Sequence, residues 1–320
     1  MQTTVLSGRG GRGGSDGSGG LPVQLIREQC INPWPEIWKR ACQRLQAGNP
    51  ALAAELAGYP PAVFGLGAGF FYLPAAQARE WGCRDEDAIS ELLTVLALGH
   101  VHYAFQDQVV DEGGAPASMC LISDTALLGY LDGLAALVPA RAARYRELHD
   151  RAYDVYCAAV LRDLGHRDGL VPYSAAELVR LGEKAAPGAV AFHLAADLAG
   201  VPELADLATT SVLRLCTGLQ LVDDLHDAAE DARTGNRTWP VTAALLSYPG
   251  LDPMDGGGVE AAVVGSGVAA AGLRLAAATF RDAARYARTA GSLVVRELAE
   301  EWERRVEEQE RHLSAVQPAG

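Results

Sequence analysis

Asp107 and Asp111 stand four residues apart in Phe105-Gln106-Asp107-Gln108-Val109-Val110-Asp111. Asp223 and Asp227 repeat the spacing in Leu219-Gln220-Leu221-Val222-Asp223-Asp224-Leu225-His226-Asp227. On a helix, residues four apart project from one face, one turn from each other. Carboxylates so placed repel, and a cation between them relieves the helix that carries them. Each pair also follows an apolar stretch, 92–98 before the first and the mostly apolar 212–222 before the second. Both are therefore expected on central helices, where a like-charged pair is costly and a divalent metal is the natural compensation. Asp224 adjoins the second pair, and Glu230 and Asp231 follow one turn on. Hard oxygen donors in this number suit Mg²⁺ rather than zinc. One such pair alone would read as a solvated helix face. Two pairs, far apart in sequence and each ending an apolar helix, point together to metal binding.

The elements that must position these residues are helices. From about residue 34 the chain is rich in Ala and Leu, lacks strand-like alternation, and is punctuated by Gly and Pro clusters. The pattern predicts helices over 34–46, 86–111, 122–136, 140–163, 174–184, 187–199, 202–232, 238–247, 259–289 and 292–314. Ser174 opens a capping box with Glu177. Asp252-Pro253-Met254-Asp255-Gly256-Gly257-Gly258 is expected to be a loop of helix breakers. The charge-rich last helix reads as solvated outer surface. Long helices without an internal repeat predict an all-α, single-domain bundle around a central apolar cavity. The Gly/Ser-rich tail within 1–27 is expected to stay outside the fold, the domain to span 28–315, and 316–320 to form a C-terminal tail.

The chain carries a formal net charge of -13. A nucleic-acid partner is not expected, since phosphate backbones need a basic face. A small polyanion is compatible with this charge when metal cations stand between it and the acidic groups. The six cysteines (Cys30, Cys42, Cys83, Cys120, Cys157, Cys216) include no Cys-x-x-Cys pair, so zinc-type spacing is absent. The N-terminus lacks the apolar core of a signal peptide, and reduced thiols in a cytoplasmic protein are expected. No apolar run reads as long and charge-free enough to cross a membrane.

The two acidic segments resemble the aspartate-rich motifs of the trans-prenyltransferase-like class I isoprenoid synthases, which include prenyl diphosphate synthases and class I terpene synthases. Gln220-x-x-Asp223-Asp224-x-x-Asp227 matches the second motif well. The first is degenerate, with Gln108 where prenyl synthases have a second Asp. The resemblance spans about 30–315. It implies the isoprenoid synthase fold, a prenyl diphosphate substrate, Mg²⁺ as three ions with substrate bound, and the homodimer common in the family. It also implies that Lys184, in Lys184-Ala185-Ala186, stands for the family's diphosphate-contacting lysine. Arg237, in Gly235-Asn236-Arg237-Thr238, would be a second diphosphate ligand. Arg180 would sense phosphate, and Arg285-Tyr286 resembles a pair near the C-terminus of many terpene synthases.

Chain-elongating prenyl synthases carry a Gly-Gly-Lys-x-x-Arg segment that holds a second diphosphate. The corresponding stretch here, 56–78, contains no lysine or arginine. Gly113, Gly114, Ala115 and Pro116 stand where an arginine usually follows the first motif. A second diphosphate would lack counter-charge. The expected activity is therefore that of an Mg²⁺-dependent class I terpene synthase, which ionises a linear prenyl diphosphate, releases diphosphate and cyclises the allylic cation. The alternatives are a chain-elongating prenyl diphosphate synthase or other prenyltransferase, and a catalytically silent helical partner subunit. Tyr103, His100, Phe70, Phe71, Phe192, Trp239 and Gln220 are candidates to line the cavity, where aromatic faces would stabilise a cation. Such aromatic residues are more often plain core.

Overall fold

The computed structural model describes residues 34–57, 68–112 and 117–316; the N-terminal tail, Cys30 and residues 317–320 lie outside the described residues. Those described are helical apart from turns, without a strand. In chain order the helices are α1 (Trp34–Gly48), α2 (Pro50–Ala57), α3 (Ala68–Glu80), α4 (Glu86–Glu112), α5 (Ala117–Leu137), α6 (Ala142–Asp168) and α7 (Ala175–Leu178). There follow α8 (Ala186–Ala199), α9 (Ala205–His226), α10 (Ala228–Thr234), α11 (Trp239–Ser247), α12 (Gly256–Gly265), α13 (Val268–Thr289) and α14 (Leu293–Val316). They form two compact units. The first takes the described residues up to Asp150 with Val190–Ala205, and the second takes Arg151–Ala189 with the described residues from Asp206 on.

In the first unit α4 is the central element. Ile89, Leu92, Val95, Leu96, Leu98, Val101 and Phe105 are fully buried, and α4 packs on α1, α3 and α5. A helix apolar over so much of its circumference has no stable place on a surface. At the start of α6, Asp197 of α8 accepts the Tyr145 hydroxyl at 2.6 Å and pairs with Arg141, which closes the unit.

In the second unit α13 and α14 pack along their lengths. α9 lies on α13, where the Ser211 hydroxyl donates to the Ala283 carbonyl at 2.8 Å. Ala228, Val241, Leu245, Val259 and Val263 join α10, α11 and α12 in a smaller core.

The capping box forms as read: Ser174 Oγ accepts from Glu177 N, and the Glu177 carboxylate accepts from Ser174 N at 2.7 Å. Three long predicted helices are instead interrupted. The segment 174–184 is α7 followed by a 3-10 turn, Leu181–Ala185. The segment 202–232 bends at Asp227, whose ψ is 1°. The segment 259–289 turns by 69° between α12 and α13, at Gly267 with φ +80°, a conformation that favours glycine. The glycine run at 256–258 is helical, because the Asp255 carboxylate accepts from Gly258 N at 3.1 Å and caps α12.

The expectation that no segment could span a membrane is overturned. Glu86–Val109 and Ala117–Leu137 are each long and apolar enough by length and composition. Their few charged and polar side chains interrupt the apolar run, yet mean hydropathy over a whole window stays high. The two differ in use: 72% of the α4 window is buried inside the protein but only 33% of the α5 window.

Candidate functional site

α4 brings Asp107 to its C-terminal end, half-buried. Asp111 sits in the last turn of the same helix; its side chain, the Phe70 and Phe71 side chains, and the loop 113–116 lie outside the described residues. The C-terminal end of a helix is the negative end of its dipole, and the last turn of α4 contains no basic residue. A carboxylate there, such as Asp107, is stabilised by a cation. Behind this end lies a buried polar network. His102 Nδ1 is 2.8 Å from Ser123 Oγ of α5, and Tyr103 Oη is 3.0 Å from His149 Nε2 of α6. Burial lowers the pKa of both histidines, most of all by desolvation.

In the second unit, Asp223 and Asp227 are half-buried while Asp224 is 7% exposed. One residue step rotates a side chain by about 100° around the helix axis, so Asp224 leaves the face that Asp223 and Asp227 share. Its carboxylate accepts from Gln220 Nε2 at 2.6 Å. Burial pushes its pKa well above the ordinary aspartate value; the Gln220 bond opposes this, Asp163 and Asp231 add to it, and Lys184 counters. The Asp227 pKa is raised as well, by desolvation first and Glu230 second. Backbone hydrogen bonds continue through the bend, from Asp227 N to Asp223 O and from Asp231 N to Asp227 O. The Asp227 side chain makes no capping bond.

Lys184 sits on the 3-10 turn between α7 and α8, and that turn is clamped from two sides. From α6, Arg162 pairs with Glu183 and donates to the Arg180 carbonyl, while Asp163 pairs with Lys184. From α9, Thr217 Oγ1 accepts from Gly182 N at 3.1 Å. A Cβ at Gly182 would stand 2.3 Å from the Leu213 carbonyl oxygen; only glycine lets the turn come this close. Asp163 was not anticipated, since nothing in the sequence around an α6 aspartate marks it. Arg180 is itself paired with Glu183 at 2.7 Å and largely exposed.

Downstream, Asp231 accepts from Asn236 Nδ2 at 3.0 Å and from Thr238 Oγ1 at 2.9 Å. It thereby holds the loop on both sides of Arg237, a structural use of a residue that had read as part of the acidic cluster. Arg237 is half-buried and makes no ion pair among the described residues. Its side chain borders a shallow hollow of ≈ 270 Å³ with Leu170, Leu245, Leu246 and Pro249. Arg285 pairs with Asp282 and stacks on Tyr286 at 4.5 Å, on exposed surface. Of the cavity candidates, Phe192 and His100 are buried in the first unit and Trp239 in the second; Tyr103 and Gln220 are half-buried. Among the described residues, no three His, Cys, Asp or Glu side chains converge into a protein-only metal cage.

No protein-family model matches the sequence, and no curated protein does. Solved structures do. A polyprenyl synthase from Caulobacter crescentus, complexed with calcium and isoprenyl diphosphate, is 22% identical, with a TM-score of 0.68 over 88% of this chain and 97% of that one. A polyprenyl synthase from Roseobacter denitrificans is 16% identical with a TM-score of 0.67, over 89% and 99% of the two chains. A geranylgeranyl pyrophosphate synthase from Lactobacillus brevis is 15% identical with a TM-score of 0.65, over 88% and 99%. The chain has the isoprenoid synthase fold.

Proposed function

We propose that this protein is an Mg²⁺-dependent enzyme that ionises a prenyl diphosphate. The observation that carries the proposal is the pair of half-buried aspartates, Asp223 and Asp227, at the end of a core helix in this fold, with the clamped Lys184 in electrostatic reach of the adjoining Asp224. Asp223 and Asp227 of the second unit would hold the metal, with Asp224 in a supporting place behind them; Asp107 and Asp111 are the metal ligands that the first unit would offer. Mg²⁺ ordinarily takes one or two carboxylates plus substrate phosphates and keeps several waters, so the proposal requires no protein-only cage. When bound, it supplies Lewis-acid pull on the leaving diphosphate. Lys184 and Arg237 meet the remaining negative charge. For this Lys184 must exchange Asp163 for phosphate oxygens, and the Gly182 clamp keeps its backbone in place meanwhile.

Two observations bear on the fate of the cation, and they favour different products. The similar structures bear the names of chain-elongating synthases, one of them with isoprenyl diphosphate bound, which supports elongation. The uncharged stretch 56–78 in this chain supports a single-diphosphate reaction ending in a ring. Residues 58–67 of that stretch lie outside the described residues. Elongation has the support of whole-chain likeness, and cyclisation rests on charge counting alone. The deciding assay supplies Mg²⁺ and an allylic diphosphate with or without labelled isopentenyl diphosphate. Label in a longer prenyl diphosphate establishes elongation, and an unlabelled hydrocarbon or terpene alcohol establishes cyclisation. Absence of Mg²⁺-dependent diphosphate release from every prenyl diphosphate tried refutes the proposal.

A further inference from the structure

We propose that Tyr103, His149 and Asp150 form a proton relay that ends the carbocation reaction, with Tyr103 as the catalytic acceptor and His149 and Asp150 as positioning residues. The inference rests on the ionisation reading above. It holds for either fate of the cation. Ring closure and addition to a second alkene both leave a carbocation that must lose a proton to become a neutral alkene, and without an acceptor water adds instead.

The geometry points to Tyr103. It stands one turn before Asp107 on α4, and residues four apart on a helix lie side by side, about 5–6 Å between Cβ atoms. Unlike Val101, His102 and Phe105, which are buried, Tyr103 is half-buried. Its Oη is 3.0 Å from His149 Nε2; the other ring nitrogen, Nδ1, stands 3.5 Å from Asp150 Oδ1, an ion-pair distance and not a hydrogen bond, and that oxygen accepts from Arg146 Nε at 3.1 Å. A carboxylate on the Nδ1 side favours a proton on Nδ1 electrostatically, and with Nε2 then unprotonated the tyrosine hydroxyl donates to it. His149 is 4% exposed, and its burial favours the neutral ring that an acceptor needs. The ring is also fixed in place. Fully buried Tyr130 meets it edge-on at 5.8 Å, and Gly99 leaves room for Tyr130, since a Cβ at 99 would be 3.0 Å from the Tyr130 ring.

In the step, a C–H bond next to the cationic carbon breaks and its electron pair becomes the new π bond. The proton goes to Tyr103 Oη as the tyrosine's own proton passes to His149 Nε2. The resulting imidazolium faces Asp150. On return, His149 gives its proton back to Tyr103, which releases one to water once the product has left.

The test uses the full chain with Mg²⁺ and geranyl, farnesyl and geranylgeranyl diphosphates, each with and without isopentenyl diphosphate. Products are separated by gas chromatography and mass spectrometry. Tyr103→Phe and His149→Gln should each raise the ratio of water-captured alcohol to deprotonated product about tenfold or more. His149→Gln should do so with unchanged circular dichroism and melting temperature, because its amide can still accept a hydrogen bond but cannot take a proton. If His149→Gln does not fold, Tyr103→Phe, which removes a single oxygen, carries the same test. A wild-type product ratio in either folded variant overturns the relay while leaving the ionisation reading intact. No diphosphate release from the wild-type chain overturns both.

Discussion

The acidic end of α4 and the acidic end of α9 share one spacing of aspartates and are built on different supports. α4 runs unbroken to Glu112, and its polar anchors lie a turn behind the acids, in buried histidines bonded to Ser123 and Tyr103. α9 bends at Asp227, and its surroundings divide the acids by task. Gln220 turns Asp224 inward, Asp231 is taken up by the Arg237 loop, and Asp223 and Asp227 stay half-buried. The same residue type at the same interval therefore does not say which carboxylate meets a ligand; the side chains that hold or release each one do.

The largest expected effect tests that division. Asp223→Asn should lower diphosphate release by about a hundredfold or more, the scale seen when one preorganised electrostatic group is removed from a reaction centre. Its melting temperature should not fall. Asp224→Asn should lower release far less and raise the melting temperature at pH 7, since it keeps the bond to Gln220 and removes a carboxyl whose ionisation burial penalises. Equal losses in the two variants would show that both carboxylates serve the metal and that the inward turn of Asp224 has no functional meaning.

Glycine substitutions compare the supports themselves. At Gly182 an added Cβ meets backbone, 2.3 Å from the Leu213 oxygen and 2.6 Å from Thr217 N. At Gly99 it meets only the Tyr130 ring, at 3.0 Å. Gly182→Ala should cost about 1–3 kcal/mol, the usual price of overpacking, and Gly99→Ala clearly less because a side chain can give way. Urea midpoints at constant slope measure both. A larger loss at Gly99 would mean that the α4 support, not the α9 clamp, is the rigid one.

The α4 support should also be the acid-sensitive one. His102 and His149 have lowered pKa values in the folded chain because burial penalises the charged ring. The unfolded chain then binds more protons as pH falls below the ordinary histidine value of about 6.5, so stability is full above that pH and drains below it. Each site can contribute up to about 1.4 kcal/mol per pH unit until its folded value is reached. Denaturation midpoints between pH 7 and pH 5 should therefore fall for the wild type and flatten in a His102→Gln, His149→Gln double variant. An unchanged slope in the double variant would place the acid sensitivity elsewhere.

What the sequence disclosed follows from how local each cause is. The helical class, the course of α4, and the Asp pairs with the Gln220 that precedes them are written in periodicity and spacing. Asp163 is not, because its role as the partner of Lys184 depends on α6 meeting a turn some twenty residues later in the chain, and an isolated aspartate carries no mark of that. The bend at Asp227 was equally hidden. Its backbone bonds are continuous on both sides, so no breaker residue was needed to make it. Asp231 read as one more acid of a cluster, although its two acceptor bonds commit it to the loop.

The capping box at Ser174 is the opposite case, a wholly local device beside the clamp, and its removal should have the smallest effect. Ser174→Ala loses the bond from Glu177 N to Oγ and the contact of Oγ with the Glu177 carboxylate, while the backbone bond from Ser174 N to that carboxylate stays available. Loss of an N-cap of this kind costs about 1 kcal/mol. The Glu177 pKa is lowered, chiefly by the backbone hydrogen bond from Ser174 and then by its hydroxyl. A carboxyl with a depressed folded pKa contributes stability above its unfolded value of about 4.3 and loses it as pH falls through the folded value. The difference in urea midpoint between wild type and Ser174→Ala should thus be constant from pH 7 to about pH 5 and shrink below about pH 4. Because α7 leads directly into the turn that carries Lys184, the variant also asks whether the clamp needs its capped neighbour. Gly182 and Arg162 hold the turn without help from Ser174, so diphosphate release by Ser174→Ala should stay within about twofold of wild type at pH 7, in keeping with a loss of stability alone. A tenfold fall would mean that Lys184 is placed by the cap as much as by the clamp.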